Sequence, residues 1–282
     1  MRNPQRVQRI AFFFLFLATL LIVVPVGLVV FIIIQKGLPA INWQFLTDIP
    51  RQGMRQGGIF PAIVGTLYLV LGAIVFALPI GLLSAIYLSE YAKDNFLSRL
   101  VKLAIVNLAG VPSVVYGLFG LALFVVFLKF GASILSGALT LGIMILPIII
   151  TTSREALESV PYSFREVSLS LGASRWQTIR HVVLPNALPG ILTGTILGLG
   201  RAAGETAPIL FTVAAFYLPS LPRSIFDQAM ALPYHLYVIS TQVPNVDEKI
   251  RYGTALVLLA LVLFMNLVAI IIRYQFRKRK KW

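Results

Sequence analysis

Polar residues are sparse along this chain, and where they fall divides it into blocks. Six apolar runs lie at about residues 10–34, 62–88, 103–128, 134–152, 187–215 and 253–272. Roughly 20 apolar residues in a helix cross a hydrocarbon core of about 30 Å, so each run predicts a membrane span. With no water in the lipid to satisfy backbone groups, the spans must be helical. The first run, IAFFFLFLATLLIVVPVGLVVFIII, exceeds the apolar core of a secretory signal, about 7–15 residues, and no small-x-small site follows it. It predicts a retained helix in which Pro25 is tolerated as a kink; Pro79, Pro112 and Pro147 predict further kinks.

A polar and basic interruption between two long apolar runs is EVSLSLGASRWQTIRHVVLP, Glu166 to Pro185. Pro161 ends any helix continuing from the fourth run. Ser163 followed three residues later by Glu166 then predicts a capping box, and Gly172 suits a left-handed C-terminal cap. Phe164, Val167, Ser168 and Leu171 recur at helical spacing on one face, with Arg165 and Ser170 elsewhere around the helix. Ser174 with Gln177 predicts a second capping box, opening another short helix that Pro185 stops. A two-turn helix is not stable alone in water, so this block needs support from its own bundle or from a partner's groove.

Composition agrees with a membrane protein: 58% of the 282 residues are hydrophobic, 12% are charged, and mean hydropathy is +0.88. A soluble domain has roughly 45–50% and 25%. The net charge of +14 does not point to nucleic acid, because the cations sit at the ends of apolar runs and not on one amphipathic face. Sixteen Lys and Arg lie in the N-terminus, the second and fourth connections and the C-terminal tail, against seven in the other connections. That bias predicts both termini, and the 166–185 block, on the cytoplasmic side. The tail, RYQFRKRKKW, suits a positive stop signal or anionic lipid head groups. Trp43 and Phe45 in the first outer connection suit an interfacial anchor. The connection at about 216–252, rich in proline yet partly apolar, suits either a segment dipping back into the protein or an ordinary packed loop.

The chain has no cysteine, and His181 and His235 stand in no metal-ligand spacing, so no metal site and no catalytic residue are predicted. It has no GxxxxGK[ST] phosphate loop. The unusual chemistry is intramembrane: GLGRAAGETAPILF places Arg201 and Glu205 in the fifth run. Each such charge costs on the order of 2.5–3.5 kcal/mol to insert, so neither should face lipid. At i and i+4 they share a helical face. The pair either locks helices together or lines a pathway in which Arg201 attracts an anion and Glu205 orients or gates it. The guanidinium fork suits an oxyanion. Thr66, Asn107, Ser113, Tyr116 and Thr206 are further polar candidates for such a pathway.

The polar block resembles the EAA loop of ATP-binding-cassette importer permeases. The pattern reads Glu166-Val167-Ser168, three residues, Gly172, nine residues, then Val182-Val183-Leu184-Pro185; Val167 and Ser168 replace two alanines and Val182 an isoleucine. RAAGETAPILF, GGIFPAIVGTLYLV, ALPIGLLSAIYLSEYA and LAGVPSVVYGLFGL extend the resemblance to the PstA family of phosphate-importer permeases over about residues 55–215. The resemblance implies an all-α, six-span, MetI-like type I importer permease in the inner membrane. Residues 1–58 would hold the first helix and outer loop, 59–272 the permease core with its coupling loop at 153–186, and 273–282 a basic tail. Phe164, Arg165, Glu166, Val167, Ser168, Leu171, Gly172, Ala173 and Ser174 would contact the ATPase. The implied partners are a PstC-like permease, two PstB-like ATPase subunits carrying ATP and Mg, and a PstS-like phosphate-binding protein. The alternatives are a permease for another oxyanion, sulfate or molybdate, and an ion-coupled carrier or channel acting alone.

Overall fold

The first apolar run forms helix α1 (Pro4–Gly37) in the computed structural model, which describes residues 4–278. A 3-10 turn at Leu38–Ala40 leads to helix α2 (Trp43–Thr47), whose N-cap Asn42 accepts from the Phe45 amide at 2.8 Å. Strands β1 (Pro50–Arg51) and β2 (Gln56–Gly57) then pair as an antiparallel ribbon. The expected aromatic anchor divides here: Trp43 stays exposed while Phe45 joins the main core. Residues two apart on a helix differ by about 200°, so both side chains cannot face one way.

Helix α3 (Phe60–Ile86) runs on into a π-helical turn at Tyr87–Tyr91. The third apolar run is not one straight helix. Helix α4 (Phe96–Ala109) and helix α5 (Ser113–Gly120), the latter extended by a π-helical stretch at Leu121–Phe127, meet at 103°. Pro112 in the corner has an extended backbone and offers no N–H, so helical bonding stops there. The Tyr116 hydroxyl donates to the Leu108 carbonyl at 2.7 Å across the corner, where that carbonyl also accepts from the Val111 amide at 3.1 Å.

Helix α6 (Ile134–Glu158) reaches six residues past its apolar run, and the nine-residue helix α7 (Tyr162–Ser170) follows. Helix α8 (Arg175–Thr178) does not stand apart as a second short helix. It continues through a π-helical turn, Ile179–Val183, into helix α9 (Leu184–Gly204), so Arg175–Gly204 is one span. Pro185 sits in the first turn of α9, where the missing N–H costs little; the π-helical turn before it absorbs the change of bonding. The run ends early at Gly204, and helix α10 (Ala207–Thr212) resumes after a break at Glu205–Thr206. Helix α11 (Leu232–Thr241) and helix α12 (Glu248–Lys278) complete the chain. The first five residues of the expected basic tail, 273–277, thus continue α12 along with Lys278, and residues 279–282 lie outside the described residues. Among the described residues, five helices are long and apolar enough to cross a membrane, and the bent α4–α5 pair makes six.

Helices α3, α6 and α9 form the centre. Gly190, Gly194 and Gly198, one turn apart on α9, face Ala156, Thr152 and Ile149 of α6; a β-carbon at either of the first two would collide with its neighbour. Lipid offers no hydrophobic drive for helix pairing, so close backbone approach at such small residues supplies the packing. The long connection after α10 folds back into the bundle. Carbonyls of Thr212, Asp227 and Ile225 accept from the amides of Ser133, Ile134 and Leu135, closing the open N-terminus of α6. Met230, Leu232 and Ile239 are fully buried.

Candidate functional site

Helix α7 begins at Tyr162 with Pro161 as its N-cap, and no side chain caps it. Ser163 therefore lies inside the first turn, and the expected capping box with Glu166 is not formed; the proline ring already sets the entry dihedral. The other punctuation is present. Gly172 has φ +84°, the left-handed conformation that a β-carbon disfavours, and Ser174 and Gln177 form a reciprocal capping box.

The expected stripe of Phe164, Val167, Ser168 and Leu171 splits. Phe164 packs on a buried cluster that includes Ala85, Ile86, Leu157 and Ile179, and the Ser168 hydroxyl lies 2.9 Å from that of Thr178. Arg165 also turns inward. Positions 164, 165 and 168 lie within about 100° of arc, Val167 falls outside it, and Leu171 is beyond the helix end. Tyr162, Glu166, Val167, Leu169 and Leu171, the last 83% exposed, form the outward surface; Ala173 is half-buried and Ser174 exposed at its end.

Arg165 is the centre of the inward face. Its Nη2 lies 2.7 Å from Glu90 Oε1 and 2.9 Å from the Leu157 carbonyl, and its Nη1 lies 2.7 Å from the Val160 carbonyl. The two charged side chains are only 11% and 8% exposed. Leu157 and Val160 mark the C-terminal end of α6, where carbonyls lack intrahelical partners and a cation is favoured. Glu90 lies in the π-helical turn that ends α3. Arg175 donates to the Glu90 backbone carbonyl, and its guanidinium carbon sits 5.0 Å from the centre of the Tyr91 ring. Removing one partner from a buried pair of this kind costs about 3–5 kcal/mol.

At the opposite end of α9, Arg201 Nε lies 3.5 Å from Glu205 Oε1, with side chains 30% and 19% exposed. Glu205 and Thr206 occupy the break itself, with Thr206 half-buried as the N-cap residue of α10. The Tyr116 phenol is within electrostatic reach of Arg201. A cavity of about 10 Å³ touches Glu205, Thr66, Ala231 and Pro233, far too small for an oxyanion, so the ion pair is not enclosed by that cavity. Thr66 Oγ1 donates to the Ala62 carbonyl and accepts from the Leu232 amide, both at 2.8 Å, anchoring the folded-back connection. Tyr116 is committed to Leu108. Asn107 is exposed and Ser113 half-buried on either side of the α4–α5 corner. Arg201 and Glu205 thus come together, with Thr206 next to Glu205 in the break, while the hydroxyls of Thr66 and Tyr116 hold backbone.

The family model of the binding-protein-dependent transport system inner membrane component matches residues 77–282, from mid-α3 onward. The chain belongs to this family. It is 35% identical over 266 residues to the probable ABC transporter permease protein YqgI of Bacillus subtilis, covering 89% of this chain and 90% of that one. It is 34% identical over 273 residues to the phosphate transport system permease protein PstA 1 of Mycobacterium tuberculosis, covering 95% and 88%. Among solved structures, the MetNI methionine ABC transporter in an inward-facing conformation aligns with TM-score 0.60 at 18% identity, covering 78% of this chain and 94% of that chain. That likeness establishes the fold. As a member of the inner-membrane-component family, the chain is a multi-pass permease and not the ATPase.

Within this permease, sequence reasoning missed Glu90. The signal was present: one acid in the otherwise uncharged IYLSEYA at the end of a span. Its partner could not be read, because residues 90 and 165 meet only through the packing of α3, α6 and α7. His235 was also passed over as lacking metal spacing; it is 3% exposed, its Nδ1 has no hydrogen-bond partner, and burial pushes its imidazole down to about 4.

Proposed function

We propose that this chain is the PstA-like half of an ATP-driven phosphate importer, passing inorganic phosphate inward by alternating access. The observation that carries the substrate assignment is the Arg201–Glu205 pair at the broken end of α9. It is partly exposed, held at 3.5 Å, and set where a span loses its helical bonding. A guanidinium fork suits a tetrahedral oxyanion, and the likeness to phosphate transport permeases supports the same choice. The cavity that touches Glu205, about 10 Å³, is far too small for phosphate, which fits a pathway completed by a second, PstC-like permease. Of two PstB-like ATPases binding ATP and Mg, one would dock on the outward surface of α7 and the other on the PstC-like partner, and a PstS-like protein would deliver phosphate on the opposite face. In this orientation both termini are cytoplasmic. ATP-driven closure of the ATPase dimer pulls α7 and opens the bundle outward; hydrolysis restores the inward-facing state.

The test is uptake by cells carrying the assembled transporter. Unlabelled phosphate should compete with labelled phosphate, and sulfate and molybdate should not. Arg201→Gln should lower uptake roughly tenfold or more, since a hydrogen bond to a charged group contributes about 1.5–3 kcal/mol, without loss of assembled complex. Competition by sulfate or molybdate in place of phosphate would give the permease to another oxyanion.

A further inference from the structure

We propose that Glu90 and Arg165, supported by Arg175, form a transmission joint that fixes α7 to the ends of the second and fourth spans, so that a displacement of α7 moves those span ends with it. This rests on α7 being the surface on which the ATPase docks, and goes beyond it by naming what carries the motion inward. Helix α7 is tied to its neighbours in sequence only by the turns at Ser159–Pro161 and Leu171–Ser174, and the second contains a residue suited to a hinge, Gly172 at φ +84°. The apolar contact beneath it, Phe164 on Ala85, Ile86, Leu157 and Ile179, resists separation but not sliding, because burial is non-directional.

Direction comes from the guanidinium. Its planar, fixed fork engages Glu90 Oε1 at 2.7 Å and the carbonyls of Leu157 and Val160 at 2.9 and 2.7 Å. One side chain on α7 is thereby bonded to the last turn after α3 and to the C-terminal end of α6. Arg175, at the start of the fifth span, adds a fourth element by donating to the Glu90 backbone carbonyl and lying over the Tyr91 ring. The joint lies on the face of α7 away from the exposed Val167 and Leu171, so it transmits force without taking part in the docking contact.

The experiment uses the complete transporter in proteoliposomes and reads phosphate transported per ATP hydrolysed. Arg165→Lys keeps the charge and removes the fork; Glu90→Gln keeps the shape and removes the charge. Both variants should still retain the ATPase on purification. Phosphate per ATP should fall about fivefold or more, the scale of a coupling free energy; Glu90→Asp should recover part of it. A merely supporting role would lower yield, hydrolysis and transport together and leave the ratio unchanged.

The described residues contain no cysteine, so spin labels at Ser163→Cys and Tyr87→Cys read the joint without transport. Their distance distribution should be narrow in the parent complex and broaden in Arg165→Lys. An unchanged ratio with an unchanged distribution overturns the joint, and so does loss of the ATPase from Arg165→Lys, which would make that residue a docking contact. Failure of the parent complex to move phosphate at all would instead refute the phosphate reading, and leaves the distance measurement as the judge of the joint.

Discussion

His235 shows what a single buried residue contributes. Its imidazole lies outside the six spans, packed within the folded-back connection, and burial lowers its pKa to about 4. In the unfolded chain it titrates near 6.5, so between those values the unfolded state binds the proton more readily. The stability from keeping His235 neutral is therefore complete above about pH 6.5 and is lost as pH falls toward 4. By pH 5 the loss is about 2 kcal/mol. Thermal melts of the purified complex at pH 7.5 and pH 5 should show a drop that His235→Phe reduces; parallel drops would show that His235 does not set the acid sensitivity. Arg201 and Glu205 were legible as residues because a charge in an apolar run stands out. Glu90 stood out less, since an acid at a span end resembles an ordinary solvated residue until Arg165 is found beside it.

Helix α7 depends on its two faces being different. Its inward side, Phe164, Arg165 and Ser168, is held by apolar packing, an ion pair and a hydroxyl contact. Tyr162, Val167, Leu169 and Leu171 of this segment, and Trp176 after it, remain exposed, apolar surface that water does not stabilise. Leu171→Asp should leave the bundle intact, because the side chain meets little of its own chain. It should weaken ATPase binding by about 2 kcal/mol or more, roughly thirtyfold. Titrating the purified ATPase onto the permease pair measures this, and unchanged affinity would move the docking surface elsewhere. The helix, Gly172 and the Ser174 cap were legible because their chemistry is local. Which side faced inward was not: an apolar stripe states which positions are alike, and the partner that covers each is set by α3 and α6. The π-helical turn at Ile179–Val183 was equally hidden, and it is what joins α8 to the fifth span.

At the scale of the molecule, the exposed surface itself calls for lipid or another subunit. Phe12 to Phe16 on α1, most of α4, and Leu263 to Val268 on α12 present large apolar side chains outward. Six spans were readable from run length alone. Pro112 marked a kink in the third, but its 103° was not readable, because apolar residues continue on both sides of the corner and hydropathy carries no direction. The ion pair at the end of α9 and the joint beneath α7 lie at opposite ends of Arg175–Gly204, so the span that meets the joint through Arg175 also carries Arg201. The account stands on that link between ATP hydrolysis at one end and phosphate passage at the other. The most direct measurement is phosphate uptake into proteoliposomes holding both permeases and the ATPase, with the binding protein outside and ATP inside. The account predicts uptake that requires every component and stops with a hydrolysis-deficient ATPase. Uptake by this chain alone, or uptake indifferent to ATP, would contradict it.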